Sequence, residues 1–259
     1  MMLVGDLERW FEVRASLNES LGFVATMGAL HPGHGSLIER SVAENTYTVV
    51  SVFVNPTQFN DPQDLANYPD TLDADLAMAE RLGADYVFTP SYDALYGDEF
   101  RYQVDEREFS RELCGAHREG HFTGVLTVVM KLLNITKPAR AYFGEKDYQQ
   151  YLLVRDMCEA FFLDTQIVAC ATVREADGLA MSSRNALLDA AGRAKAPLLY
   201  EAISSADSDP EVAARLTAAG FDVDYVRTLR QRRFAAASLH CEGRRVRLID
   251  NVPAPSSQS

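Results

Sequence analysis

Two histidines three residues apart, His31 and His34, stand among glycines and a proline in the stretch TMGALHPGHGSL, Thr26 to Leu37. An apolar run precedes them and a helix-patterned run follows. Residues spaced i and i+3 share a helix face, and a helix start offers unpaired N–H groups with partial positive charge. Pro32 suits a first turn, and glycines admit a ligand to the backbone. Together these features describe a phosphate cradle, in which imidazoles donate to phosphate oxygens and offset charge as a leaving group forms. The bland alternative is a pair of surface or satisfied core histidines. Two familiar loops are excluded. A Walker A loop has Gly28 and Gly33 at the right spacing but needs Lys at His34 and Ser or Thr at Gly35. The dinucleotide pattern starts at Gly33 and Gly35 but meets Ile38 at its third glycine. Cys114, His117 and His121 have the spacing of half a zinc site; no second Cys/His pair accompanies them, and zinc is not expected.

These residues need a scaffold, and the chain supplies alternating strands and helices. Strands are expected at 22–26, 47–54, 84–90, 140–144 and 165–173, and helices at 35–45, 73–83, 124–136 and 148–162. Such alternation predicts an α/β fold, a Rossmann-like parallel sheet with helices on both faces. In such sheets ligands bind beyond the C-terminal ends of the strands. The unusual segments follow strands: His31 and His34, then NPTQFN, GEKD and READGLAMSSRN. Beyond residue 174 the pattern changes. Ala-rich helices at 185–206 and 210–220 and strands at 221–229 and 244–252, joined by a basic, Ala-rich segment, predict a smaller C-terminal α+β domain. The expected division is thus 1–174 and 175–259, with the terminal PAPSSQS disordered.

Composition narrows the partners. A formal net charge of -12 argues against a nucleic-acid-binding surface. No run approaches the length of a membrane span, and the N-terminus does not read as a secretion signal. The four scattered cysteines read as free thiols in a reducing compartment, so a cytoplasmic protein is expected. Lysines number only four, which makes Lys146, just after the 140–144 strand, a candidate phosphate contact as a point charge.

At this point the motifs carry a resemblance. HPGH resembles the HxGH signature of the nucleotidyltransferase superfamily, and AMSSRN (180–185) stands where that superfamily carries its second phosphate-binding loop. TMGALHPGH, FVNPTQF, EGHFTGVLTVV, YFGEKDYQQ, READGLAMSSRN and RLIDN occur in the same order as in the pantoate–β-alanine ligase (pantothenate synthetase) family. Ala25 departs from that pattern, where a proline is common. Residues 227–243 resemble the family poorly.

The resemblance implies a two-step ligation. Pantoate carboxylate attacks the α-phosphorus of ATP, giving pantoyl adenylate and pyrophosphate; the amine of β-alanine then displaces AMP. It implies catalytic roles for His31, His34, Lys146, Ser182, Ser183 and Arg184. ATP would also meet Met27, Gly28, Gly33, Gly144, Asp147, Val173 and Met181. Pantoate and β-alanine would meet Gln58, Gln150, Asn55, Tyr68, Arg118 and His121. Mg²⁺ would bridge the ATP phosphates with no structural metal site in the protein; Asp75 reads either as an aid to that ion or as part of an acidic helix face. A homodimer and a C-terminal lid are also implied. The run from Arg230 to Arg233 reads either as a solvated patch or as a contribution to closure over ATP. Two alternatives stay open: adenylylation of another small substrate, and a nucleotide-binding regulator without turnover.

Overall fold

A computed structural model describes residues 1–60 and 62–254. The chain divides into two units, the first comprising Met1–Glu145 and Gln149–Ala171, the second Lys146–Tyr148 and Thr172–Ser259.

In order, the first unit carries β1 (Met2–Val4), α1 (Leu7–Ser16), β2 (Leu21–Thr26), α2 (Pro32–Glu44) and β3 (Tyr47–Val52). Next come α3 (Pro62–Ala66), α4 (Leu72–Arg81), β4 (Tyr86–Phe88), α5 (Tyr92–Leu95), α6 (Cys114–His117) and α7 (His121–Thr136). It closes with β5 (Arg140–Gly144), α8 (Tyr148–Ala160, begun in the second unit) and β6 (Gln166–Cys170). The six strands form one parallel sheet in the order β1-β4-β3-β2-β5-β6. Alternation along β4 shows why helices cover both faces. Val87 joins a buried cluster with Ile38 of α2 and Ala79 of α4. Phe88, pointing the other way, packs against Trp10 of α1 with ring centroids 5.2 Å apart.

The strand order reverses between β2 and β5. Their ladder is confined to Gly22–Arg140 and Phe23–Ala141, whereas β2 pairs with β3 along its whole length, Leu21–Tyr47 to Thr26–Val52. The sheet is therefore unzipped at its C-terminal side at the position where α/β sheets take ligands.

Several elements of this unit lie outside the sequence expectation: β1, α1 and the short helices α3, α5 and α6. β1 has three residues, too few to show alternation, and α1 precedes the first expected strand. The helix expected at 35–45 begins at Pro32, and the one expected at 124–136 begins at His121. The β-branched residues of α7 do not prevent a helix because burial on most faces outweighs weak propensity.

The second unit holds α9 (Ala190–Lys195), α10 (Leu198–Ile203), α11 (Asp209–Ala218), β7 (Asp222–Leu229), β8 (Arg232–Cys241) and β9 (Arg244–Pro253). Its sheet is antiparallel, ordered β7-β8-β9. The expected continuous helix at 185–206 is instead a 3₁₀ turn over Ser183–Leu187 and two short helices, interrupted at Pro197, whose ring cannot continue a helix interior. The basic, Ala-rich join is corrected as well: it is the central strand. Ala235, Ala236 and Ala237 are fully buried there; Ala235 and Ala237, on one face, are small enough for α10 and α11 to pack close in the same cluster. Both hairpins are two-residue turns with left-handed φ, at Arg230 (48°) and Gln231 (62°) and at Glu242 (45°) and Gly243 (80°). Of the tail expected to be disordered, Pro253 ends β9 and Ala254 N–H donates to Gln231 O at 2.9 Å; residues 255–259 lie outside the described residues.

Candidate active site

The loop after β2 is built around strain that neighbours hold in place. Gly28 has φ 81° and Ala29 φ 50°, left-handed values that cost a non-glycine residue about 1 kcal/mol or more. Asp75 of α4, 3% exposed, holds the turn. Its Oδ2 accepts Ala29 N–H at 2.9 Å and its Oδ1 accepts Leu30 N–H at 2.7 Å; the Thr71 hydroxyl donates to Oδ2 at 3.1 Å. Asp75 is thus an anchor of the loop and not part of a solvated acidic face.

The histidines follow directly. His31 is the N-cap of α2, and its Nδ1 accepts the N–H of Gly33 at 3.1 Å. His34 Nδ1 reaches back to accept His31 N–H at 3.3 Å. The pair forms a reciprocal capping box in the positions usually held by Ser and Glu. The rings lie 4.1 Å apart, tilted by 34°. With both Nδ1 atoms accepting, the neutral rings carry their protons on Nε2. This corrects the expectation of unpaired N–H groups at the helix mouth: the N–H of Gly33 is taken by His31 itself.

A second cluster gathers around the segment after β3. Asn55, 1% exposed, caps the 3₁₀ turn Pro56–Gln58. Its Nδ2 donates to Gln58 Oε1 at 3.0 Å and to Gly124 O at 3.2 Å, and its Oδ1 accepts the hydroxyls of Tyr96 and Thr57, each at 2.9 Å. Gly124 permits this approach, since a Cβ there would lie 2.4 Å from Thr57 O. His121 Nδ1 donates to Gln58 O at 2.9 Å, which leaves its Nε2 to accept from Arg118 at 3.0 Å. Arg118 also donates to Gln58 O at 3.2 Å. These bonds account for His121 without zinc. Tyr68 packs edge-on against Phe59 at 5.7 Å.

Tyr96 carries no sequence signal, yet it is the deepest member of this cluster's aromatic side, 2% exposed. Burial pushes its phenol above the usual range. Lys131 Nζ lies 4.8 Å over its ring and donates to Asp98 at 2.6 Å, and that bond holds the Asp98 carboxyl at about 2.

Adjacent glutamines on α8 differ sharply. Gln149 is buried; its Nε2 donates to Phe109 O and Glu112 O, both at 2.8 Å, and its Oε1 accepts Cys114 N–H at 3.1 Å. Gln150 is half-buried and its amide has no protein partner among the described residues. Gly144 closes β5, and a Cβ there would meet nothing within 4 Å.

In the second unit, Lys146 Nζ lies 3.6 Å from Asp147 Oδ2, and Lys146 O accepts from Asn251 at 2.9 Å. Ser182 caps the turn Ser183–Leu187 by accepting Arg184 N–H at 3.3 Å. Met181 N–H donates to Val173 O at 3.0 Å, which closes a small loop ahead of Ser182. Arg174 supports that loop: it donates to Gly178 O and forms a bidentate pair with buried Asp250 at 2.6 and 2.9 Å. The arginine run is not a uniform solvated patch. Arg232 lies 4.1 Å over the Tyr148 ring, and Arg233 is 3% exposed, bonded to Asp209 Oδ1 and to the carbonyls of Ile203, Ser205 and Asp207.

Among the described residues no three His, Cys, Asp or Glu side chains gather as a metal cage, no helix is long and apolar enough to cross a membrane, and all four cysteines are buried free thiols.

The sequence model described as pantoate-beta-alanine ligase matches residues 3–253. A pantothenate synthetase of Bdellovibrio bacteriovorus is 54% identical over 95% of this chain and 96% of its own length. That of Coxiella burnetii is 50% identical over 97% and 96%. Among solved structures, the pantoate-beta-alanine ligase of Francisella tularensis, complexed with beta-gamma ATP and beta-alanine, superposes with a TM-score of 0.92 at 40% identity, covering 98% of this chain and 97% of its own. The pantothenate synthetase of Thermus thermophilus gives 0.88 at 38% identity, covering 98% and 100%.

Proposed function

Since the chain belongs to the pantoate–β-alanine ligase family, we propose that it joins pantoate to β-alanine with ATP, releasing AMP and pyrophosphate. The observation that carries this reading is the likeness along nearly the whole chain to a ligase held with ATP and β-alanine.

A carboxylate is a poor electrophile until one of its oxygens becomes a good leaving group. A pantoate oxygen attacks the α-phosphorus, the bond from that phosphorus to the β-bridging oxygen breaks, and pyrophosphate departs. The β-alanine nitrogen, having lost a proton, then attacks the acyl carbon and AMP leaves. In this proposal the Nε2–H groups of His31 and His34 and the ammonium of Lys146 meet the triphosphate where charge develops. Met27, Gly28, Gly33, Gly144, Asp147, Val173 and Met181 cradle the nucleotide, and Ser182, Ser183 and Arg184 form the second phosphate clamp. Gln58 and Gln150 hold pantoate, and the free Nε2 of one and free amide of the other suit that task. Asn55, Arg118 and His121 support Gln58 from behind, and Tyr68 assists at the same substrate. Mg²⁺ would accompany ATP as the counter-ion of its phosphates and offset their charge; Asp75, with three donors already on its oxygens, does not fit as its ligand. The homodimer, the cytoplasmic location and the lid role of the second unit belong to the same proposal.

Incubation with ATP, pantoate and β-alanine tests it. With all three present, pantothenate and pyrophosphate are expected in equal amounts over many turnovers; with ATP and pantoate alone, pyrophosphate should stop at about one equivalent of enzyme, the yield of the adenylation step. Pyrophosphate release indifferent to pantoate would point to adenylylation of another substrate; ATP binding without turnover would point to a regulator.

A further inference from the structure

The carbonyl of Gly124 decides how the Asn55 amide is turned. A carbonyl only accepts, so the Asn55 atom 3.2 Å away is Nδ2. That fixes Oδ1 on the far side, where the hydroxyls of Tyr96 and Thr57 donate to it. The second hydrogen of Nδ2 reaches the Gln58 side chain at 3.0 Å, and the Gln58 atom that receives it is Oε1. All the hydrogen-bonding capacity of Asn55 is used inside the protein. Gln58 is left with one uncommitted group, Nε2, which has no partner among the described residues. Its main chain is pinned too, because its carbonyl accepts from Arg118 and His121. Tyr96 has little freedom to let go. Its ring is packed by Tyr92 at 4.9 Å, Phe100 at 5.6 Å and Phe53 at 6.4 Å.

We propose that Tyr96 and Asn55 are positioning residues that lock the Gln58 amide with its Nε2–H as the group offered to substrate. This rests on the reading of Gln58 as a pantoate contact. A locked donor reads an oxygen lone pair. It accepts a hydroxyl or carboxylate oxygen of the hydroxy acid and disfavours an analogue carrying an ammonium at that position, because an ammonium has no lone pair to offer.

The full chain is assayed for pyrophosphate release as wild type, Tyr96→Phe, Gln58→Ala and the double variant. Tyr96→Phe is expected to raise the KM for pantoate about tenfold, the scale of one neutral hydrogen bond. It should leave kcat and the KM for ATP within about twofold. In the Gln58→Ala background the same substitution should change the pantoate KM by less than about twofold, since its effect passes through Gln58. An equal rise in both backgrounds, or an unchanged pantoate KM, overturns the proposal. A second measurement needs neither substrate nor variant stability. In ¹⁵N spectra of the substrate-free wild type, the Asn55 side-chain NH₂ should be protected from solvent exchange and that of Gln58 should not. Rapid exchange at Asn55, or protection at Gln58, overturns the lock. If the wild type shows no pantoate-dependent turnover, the ligase reading fails, while the exchange pattern still decides the lock.

Discussion

Asp75 Oδ1 accepts the backbone N–H of Leu30 at 2.7 Å, so a side chain on α4 sets the main chain one residue ahead of His31. Asp75→Asn keeps the shape but turns one oxygen into a donor facing an N–H group. Stability is expected to fall by about 1–3 kcal/mol in urea unfolding, the cost of an unsatisfied buried group. Turnover should fall with it as the histidines lose their register. Asp73→Asn, exposed on the same helix, should change stability by less than about 0.5 kcal/mol.

His34→Ala and Lys146→Ala are each expected to lower kcat by about 10²–10³-fold, the range for removing one charge-stabilising donor. The two should differ in stability. His34→Ala also removes the acceptor for His31 N–H and should cost about 1 kcal/mol as a lost cap. Lys146→Ala should leave the melting temperature close to wild type. A large fall there would make Lys146 a structural residue.

The adjacent glutamines should separate cleanly. Gln150→Ala should raise the KM for pantoate with the melting temperature unchanged, because its amide engages nothing among the described residues. Gln149→Ala removes three hydrogen bonds to the 109–114 loop and should lower stability by roughly 1–3 kcal/mol or more. Equal melting temperatures for the two variants would contradict this assignment.

The Asp98–Lys131 pair predicts an acid limb. The Asp98 pKa is held at about 2, below its ordinary 3.8, by the Lys131 hydrogen bond. A depressed carboxyl stabilises the fold above the unfolded value and loses that contribution as pH falls toward the folded one. Lys131→Met should therefore be destabilised relative to wild type near neutral pH, and the gap should narrow between about pH 4 and pH 2. Denaturant midpoints across that range measure it. A gap independent of pH would assign the effect to the other Lys131 contacts, the Tyr96 ring and the Leu95 carbonyl 2.8 Å away.

Arg233→Met should be strongly destabilising, by about 3–5 kcal/mol, because Asp209 loses its cation and three carbonyls lose their donor. Arg230→Met, in the hairpin turn, should have a much smaller effect. Thermal unfolding of both variants makes the comparison.

The parallel sheet was legible because its long strands are apolar on both faces and its helices keep a 3.6-residue period. The motifs were legible because they break that pattern just past strand ends. β8 was not, since alanines carry little strand preference and only the close approach of neighbouring elements makes them suitable. The anchoring role of Asp75, and Gln149 altogether, were hidden for another reason. Their partners are backbone groups 35 to 46 residues away, which leave no local spacing to read. Sequence alone could not separate Gln149 from Gln150, whose roles depend on which way each side chain leaves the helix. It drew attention to His31 and His34 but missed that they cap their own helix.

The excursion of Lys146–Tyr148 into the second unit has a practical meaning for dissecting the protein. A fragment cut at residue 172 would lack the aromatic ring beneath Arg232 and the carbonyl that holds Asn251. No single scission yields the C-terminal module both intact and free of residues 149–171; a graft or minimal version of it has to carry those three residues along, spliced back by a linker.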